Sequence, residues 1–138
     1  HRRQHGKAWD CMSEFVEKDV SVVMEPYQLL IERALKHAGG SHAFTDVVDL
    51  VREGKMFFWP GERSCLVTEF VQYPRQRLLH VFLAAGDMDE IKRMEPSLRT
   101  FAQGVKCSAI SLTGRRGWVR ALADLGFKEG HTIVVKNL

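Results

Sequence analysis

The stretch 78–113, LLHVFLAAGDMDEIKRMEPSLRTFAQGVKCSAISLT, decides the fold. Leu78 to Ala85 is nearly continuous in apolar character rather than alternating, the pattern of a strand covered on both faces. Gly86 then turns the chain. Asp87, followed three residues later by Glu90, has the spacing of a capping box and opens a helix with Met88, Ile91 and Met94 inward. Pro96 lacks the N–H that a helix interior needs, so a kink or restart is expected there. Helical spacing resumes through Leu98, Phe101 and Ala102 to Gly104, after which Cys107 to Thr113 reads as a strand with Ile110 and Leu112 among its apolar positions. Strand, helix and strand make a crossover unit. Right-handed connection places the strand from Cys107 parallel to the one ending at Ala85.

Upstream, Lys55 to Trp59, Ser64 to Tyr73 and Arg77 to Ala85 are strand-like runs separated by Pro60-Gly61 and Pro74, which predicts an antiparallel meander. Before them, Pro26 suits a first helical position, and Tyr27, Leu30, Ile31, Ala34 and Leu35 form one face ahead of Gly39-Gly40. A second helix has Thr45 as N-cap candidate, Val47, Leu50 and Val51 on one face, and Gly54 as its stop. Asp19 to Val23 is a β-branched patch suited to a short first strand, and Asp10 is placed to cap a helix over Cys11 to Lys18. Downstream, Gly114 leads into a helix with Trp118, Ala121, Leu122 and Leu125 in a stripe, and Thr132 to Lys136 reads as the final strand. The expected architecture is α/β (α+β): a mixed twisted sheet of about six strands with helices on both faces. Residues 1–18 are read as an N-terminal extension and 19–138 as one domain.

With 138 residues, 45% hydrophobic and 27% charged, the chain is long enough for one core and too apolar for disorder. No apolar run approaches the roughly 20 residues that cross a bilayer, so no membrane partner is expected. A net charge of +3 is too small to indicate nucleic acid. The three cysteines, Cys11, Cys65 and Cys107, are few and widely spaced, which suits a reducing compartment better than a disulfide scaffold. Arg2, Arg3 and Lys7 read as a solvated basic tail, and the spacing of His1, His5 and Cys11 matches no zinc pattern, so no metal is expected. Walker, nucleophile-elbow and dinucleotide motifs are absent from the sequence, which leaves nucleotide and serine hydrolysis without support.

The order of elements over residues 19–138 resembles the GNAT superfamily of acyl-CoA-dependent N-acyltransferases. Two stretches, CSAISLTGRRGWVRALADLGF (Cys107 to Phe127) and FTDVVDLVREGKMFFWPGERSCLVTEFVQYP (Phe44 to Pro74), resemble small GNAT-like proteins of tailed bacteriophages and prophages. That resemblance implies a binding or virion-assembly protein with a degenerate acyl-CoA site, partnered by phage structural proteins in the host cytoplasm or the virion. The alternative it implies is an active acetyl-CoA-dependent N-acetyltransferase acting on a small amine or a protein amine. Active members that it resembles bind acetyl-CoA in a notch between two splayed strands, which here implies a site between Val81 to Ala85 and Cys107 to Ser111, against Phe82, Leu83, Ala84, Ala85 and Gly86. Backbone donors from Ala85 to Asp89 would face the pyrophosphate. The family pattern is Arg or Gln, two residues, Gly, any residue, then Gly or Ala. Here the loop reads Leu83-Ala84-Ala85-Gly86-Asp87-Met88, so only Gly86 fits, and Asp87, Asp89 and Glu90 bring like charge to an anion site.

An amine acceptor must lose a proton, which makes Glu69 and His80 the candidate catalytic residues. Each also has a plain reading, as a salt-bridged glutamate and a hydrogen-bonded sheet histidine. The tyrosine that many members place in the last helix as general acid has no counterpart, since that helix carries Trp118. Cys107 is read as a packed strand residue rather than a nucleophile. Arg115 and Arg116 oppose a helix dipole, so they are read either as an anion or partner contact or as pairs for Asp124 or Glu129.

Overall fold

In the computed structural model, which describes residues 19–114, 117–131 and 133–138, the run Asp19 to Val23 forms no strand. Asp19 instead caps α1 (Val20–Met24), its carboxylate accepting the Ser21 N–H at 2.9 Å. The cap and the burial of Val20 and Met24 outweigh the weak strand preference of β-branched residues. A 3-10 turn, Glu25–Tyr27, carries Pro26 and leads into α2 (Gln28–Lys36). Helix α3 (Phe44–Arg52) begins ahead of Thr45: Ala43 is its N-cap, and the Ala43 N–H donates to Asp46 Oδ2 at 2.8 Å.

Strands β1 (Phe57–Pro60), β2 (Ser64–Gln72) and β3 (Arg77–Gly86) form the expected antiparallel meander. Pro60 is tolerated because, among the described residues, β1 lies at the sheet edge with only β2 beside it. Helix α4 (Met88–Gly104) crosses to β4 (Ala109–Leu112), which runs parallel to β3 with Leu78 opposite Ala109 and Val81 opposite Leu112. The crossover unit is therefore as the sequence predicts. Pro96 does not end α4, which continues through it as one helix. The apolar contacts of Ile91 on one side and of Leu98, Phe101 and Ala102 on the other hold both halves against the sheet. Helix α5 (Gly117–Ala121) and a 3-10 turn (Ala123–Leu125) follow, stopped by Gly126 at φ +91°.

The sheet has four strands among the described residues, in the order β1-β2-β3-β4, rather than about six. Asp19 to Val23 went to a helix, and residues 133–136 take no regular structure, with Val134 91% exposed. Strand side chains there have no sheet neighbour to pack on, and packing is what β-preference measures. The expected helix over Cys11 to Lys18 lies outside the described residues. Helices do cover both faces. Met24, Ile31 and Val47 of α1 to α3 pack on Cys65, Val67, Leu83 and Ala85. Ile91, Leu98 and Phe101 of α4 pack on Leu66, Leu79 and Val81. Among the described residues no helix is long and apolar enough to cross a membrane.

Candidate functional site

The site begins with one extra residue in β3. Val67 stands opposite Leu83 but Thr68 stands opposite Val81, so Phe82 is bulged out of the ladder. A bulge bends and twists its strand. Pairing with β4 ends at Val81 and Leu112, although β3 continues beside β2 as far as Gly86. Beyond that point a cavity of about 160 Å³ opens, lined by His37, Ala38, Phe82, Ala84, Thr113 and Trp118. This cavity, hereafter the notch, does not lie along the expected Cys107 to Ser111, most of which is paired to β3; its wall on that side is Thr113 and Gly114.

Of the expected cofactor contacts, Phe82, Leu83 and Ala84 line the cavity, although the Leu83 side chain, like that of Ala85, packs in the α1–α3 core; Ala85 does not line it. The Phe82 ring meets His42 edge-on at 4.8 Å. Gly86 has its own structural reason, since φ is +112° and an added Cβ would lie 2.3 Å from the Arg63 carbonyl oxygen.

The acids at the start of α4 are engaged within the protein. Asp87 is the N-cap, accepting from the Asp89 N–H at 3.2 Å, and pairs with Arg63 at 3.1 Å. Glu90 does not complete a capping box with Asp87. It reaches the β1–β2 turn, accepting from the Glu62 N–H at 2.8 Å, the Arg63 N–H at 2.9 Å and the Ser64 hydroxyl. The Ser64 bond, then the Arg63 and Glu62 amides, hold the Glu90 carboxyl down to about 2.

A second cavity, of about 550 Å³, lies on the other side of Thr113 and contains His80, Val71, Tyr73, Leu78 and Ser111. Leu112, Thr113, Gly114 and Trp118 line both cavities. Trp118 packs against Gly114 so closely that an added Cβ would lie 2.8 Å from its ring. His80 Nδ1 is 2.8 Å from Ser111 Oγ, and His80 Nε2 is 3.3 Å from Thr113 Oγ1. Burial pushes the His80 imidazole below its ordinary value, against the charge of Glu69. Glu69 is the direct cross-strand partner of His80, so the two candidates are brought together.

Ser111 and Thr113 are site residues that the sequence reading does not single out. Their alternation with Ile110 and Leu112 along one strand is the available signal. Burial pushes the Cys107 thiol up and Cys65 up to about 12, which leaves neither a ready nucleophile. Arg115 and Arg116 lie outside the described residues. Asp124, one of the acids suggested for them, accepts from Lys92 at 2.9 Å.

No family model and no curated protein matches the sequence. Solved structures do. TTHA1254 from Thermus thermophilus aligns over 83% of this chain and 92% of its own, with a TM-score of 0.55 at 14% identity. An acetyltransferase of Trypanosoma brucei aligns over 83% of this chain and 94% of its own, with a TM-score of 0.57 at 11% identity. A protein described as "a probable acetyltransferase" covers 86% of this chain and 93% of its own, with a TM-score of 0.58 at 6% identity. The chain shares its fold with these structures, two of which are described as acetyltransferases. At these identities the likeness concerns fold alone, and nothing in it bears on a phage or prophage source.

Proposed function

We propose that the protein takes an acyl thioester such as acetyl-CoA in the notch beside Phe82 and Ala84, and transfers the acyl group to an amine in the His80 cavity. The observation that carries this reading is the meeting of the two cavities at Thr113, Gly114 and Trp118, with His80 Nε2 3.3 Å from Thr113 Oγ1. The thioester supplies an acyl carbon open to attack by an amine, with the thiolate leaving. Along the notch, the bulge leaves the backbone of Phe82 to Ala84 without a β4 partner, so its polar groups are available to an extended amide chain. His80, held neutral by burial, accepts the proton the amine loses, directly or through the Thr113 hydroxyl. The Ser111 hydroxyl at Nδ1 orients the ring, and the Glu69 charge favours the imidazolium once formed. With Trp118 where a tyrosine would stand, the leaving thiolate takes its proton from solvent.

The test is thiol release from acetyl-CoA or acetyl-pantetheine across a panel of primary amines, together with thermal stabilisation by each donor. A ligand at about 100 times its dissociation constant adds about 2.7 kcal/mol, a rise of several degrees in a domain this small. Absence of both stabilisation and transfer with either donor refutes the reading. The acids at the start of α4, already engaged within the protein, favour a second reading, a binding role without a working acyl-CoA site. Absence of stabilisation by either donor would favour that one.

A further inference from the structure

Resting on that reading and deepening it, we propose that the notch holds only the pantetheine arm of the donor and leaves the nucleotide diphosphate unheld, so that truncated pantetheine thioesters are substrates at least as good as acetyl-CoA. The start of α4, next along β3 from the notch, is already filled by the chain's own groups. The Asp87 carboxylate occupies the Asp89 N–H, and so neutralises the end of the helix that would otherwise attract an anion. Glu90 bridges to the amides of Glu62 and Arg63, tying the β1–β2 turn to the first turn of the helix.

Charge points the same way. Asp87, Asp89 and Glu90 stand together with one described cation in contact, Arg63, and that guanidinium is committed to Asp87 at 3.1 Å. Lys92, the next cation along α4, is held by Asp124 at 2.9 Å. A diphosphate placed there meets net like charge. Gly86, the one residue of the loop that matches a phosphate-binding pattern, is required by the approach of Arg63 and Ser64 to its backbone, whatever the ligand. The notch itself suits an uncharged chain: its lining includes Ala34, Ala38, Phe82, Ala84 and Trp118, with no carboxylate and no Lys or Arg among the described residues.

The experiment compares kcat/KM for acetyl-CoA and S-acetyl-pantetheine with one amine acceptor and the full-length chain. One hydrogen bond to a charged group is worth about tenfold or more. A ratio below about tenfold therefore supports the proposal, and a larger preference for acetyl-CoA overturns it. Should such a preference disappear in an Arg115→Gln, Arg116→Gln double variant, the diphosphate is held there and the proposal is wrong. Asp89→Asn, at an exposed position outside the notch, is expected to raise the rate with acetyl-CoA and leave acetyl-pantetheine unchanged. An unaltered ratio in that variant overturns the charge argument. Failure of both donors is a distinct result, because it removes the acyl-thioester reading itself.

Discussion

Replacing Gly86 by alanine separates a structural glycine from a ligand-binding one. Gly86 pairs with Ser64 at the end of the β2–β3 ladder, at φ +112°. An added Cβ would sit 2.3 Å from the Arg63 carbonyl oxygen, 2.6 Å from Ser64 Cα and 2.7 Å from Ser64 Cβ. Two of those three atoms are backbone and cannot swing aside. The backbone conformation alone costs a side chain about 1–3 kcal/mol, and forcing the neighbouring strand outward costs about 1–3 more. Against a total stability of about 5–15 kcal/mol, Gly86→Ala is expected to lose about 2–6. For a domain of this size that lowers the melting temperature by about 10 °C or more. Urea denaturation followed by circular dichroism measures it, with Gly39→Ala as control. Gly39 also has positive φ, +81°, but an added Cβ there meets nothing within 4 Å, so only the conformational cost of about 1–2 kcal/mol applies. If Gly86→Ala loses no more than Gly39→Ala, the close approach is not rigid and the structural explanation of Gly86 fails.

Thr68→Val leaves the Trp59 indole N–H, which donates to Thr68 Oγ1 at 3.0 Å in the buried α4 face, without its acceptor. The expected loss is about 1–3 kcal/mol in urea denaturation, and a neutral result would show that water reaches the indole. Because burial disfavours the His80 cation, the acid limb of kcat/KM should fall below the ordinary value of 6.5, and His80→Gln should abolish the limb. A limb at or above 6.5 would assign the proton transfer to another group. Glu90 is held at about 2 rather than 4.5, so its contribution to stability is complete above 4.5 and is lost as pH falls towards 2. Glu90→Gln should therefore lower the melting temperature at neutral pH and shrink the gap to the parent protein as acid is added; a constant gap would mean that the ionised form is not the one bound.

The meander, the crossover helix and the parallel β3–β4 pair were legible because each rests on a local signal. The turns at Pro60-Gly61, Pro74 and Gly86 are chemical, and the apolar spacing from Met88 to Phe101 survives Pro96. What failed did so where tertiary contacts decide. Val20, Val22 and Val23 prefer strands in isolation, yet Asp19 caps a helix there and Val20 and Met24 find a core. Glu90 has capping-box spacing, yet the β1–β2 turn offers it two amides and a hydroxyl, a contact between residues 26 to 28 apart in sequence. Glu69 and His80 were legible as candidates by residue type. Their adjacency depends on the register of β2 on β3, which the strand lengths alone do not fix.

The bulge at Phe82 was hidden for a physical reason that also accounts for the site. Side chains alternate along a strand, so an extra residue reverses which face each later residue meets. Before the bulge, Leu79 and Val81 face α4; after it, Ala84 takes that face and Leu83 and Ala85 turn to the α1–α3 core. Such a switch requires apolar residues at both parities, and a run in which every position can be buried carries no period from which the switch could be read. The same residue sets the chemistry apart from the core. His80 lies before the bulge, beside Ser111 and across from Glu69, where β3 and β4 are still paired and the imidazole is held at both nitrogens. Phe82 to Ala84 lie at and after it, where the pairing has stopped and backbone is free to meet a ligand. An imidazole held at both nitrogens and a backbone edge without a β4 partner thus follow one another on a single strand, and the bulge at Phe82 marks the boundary between them.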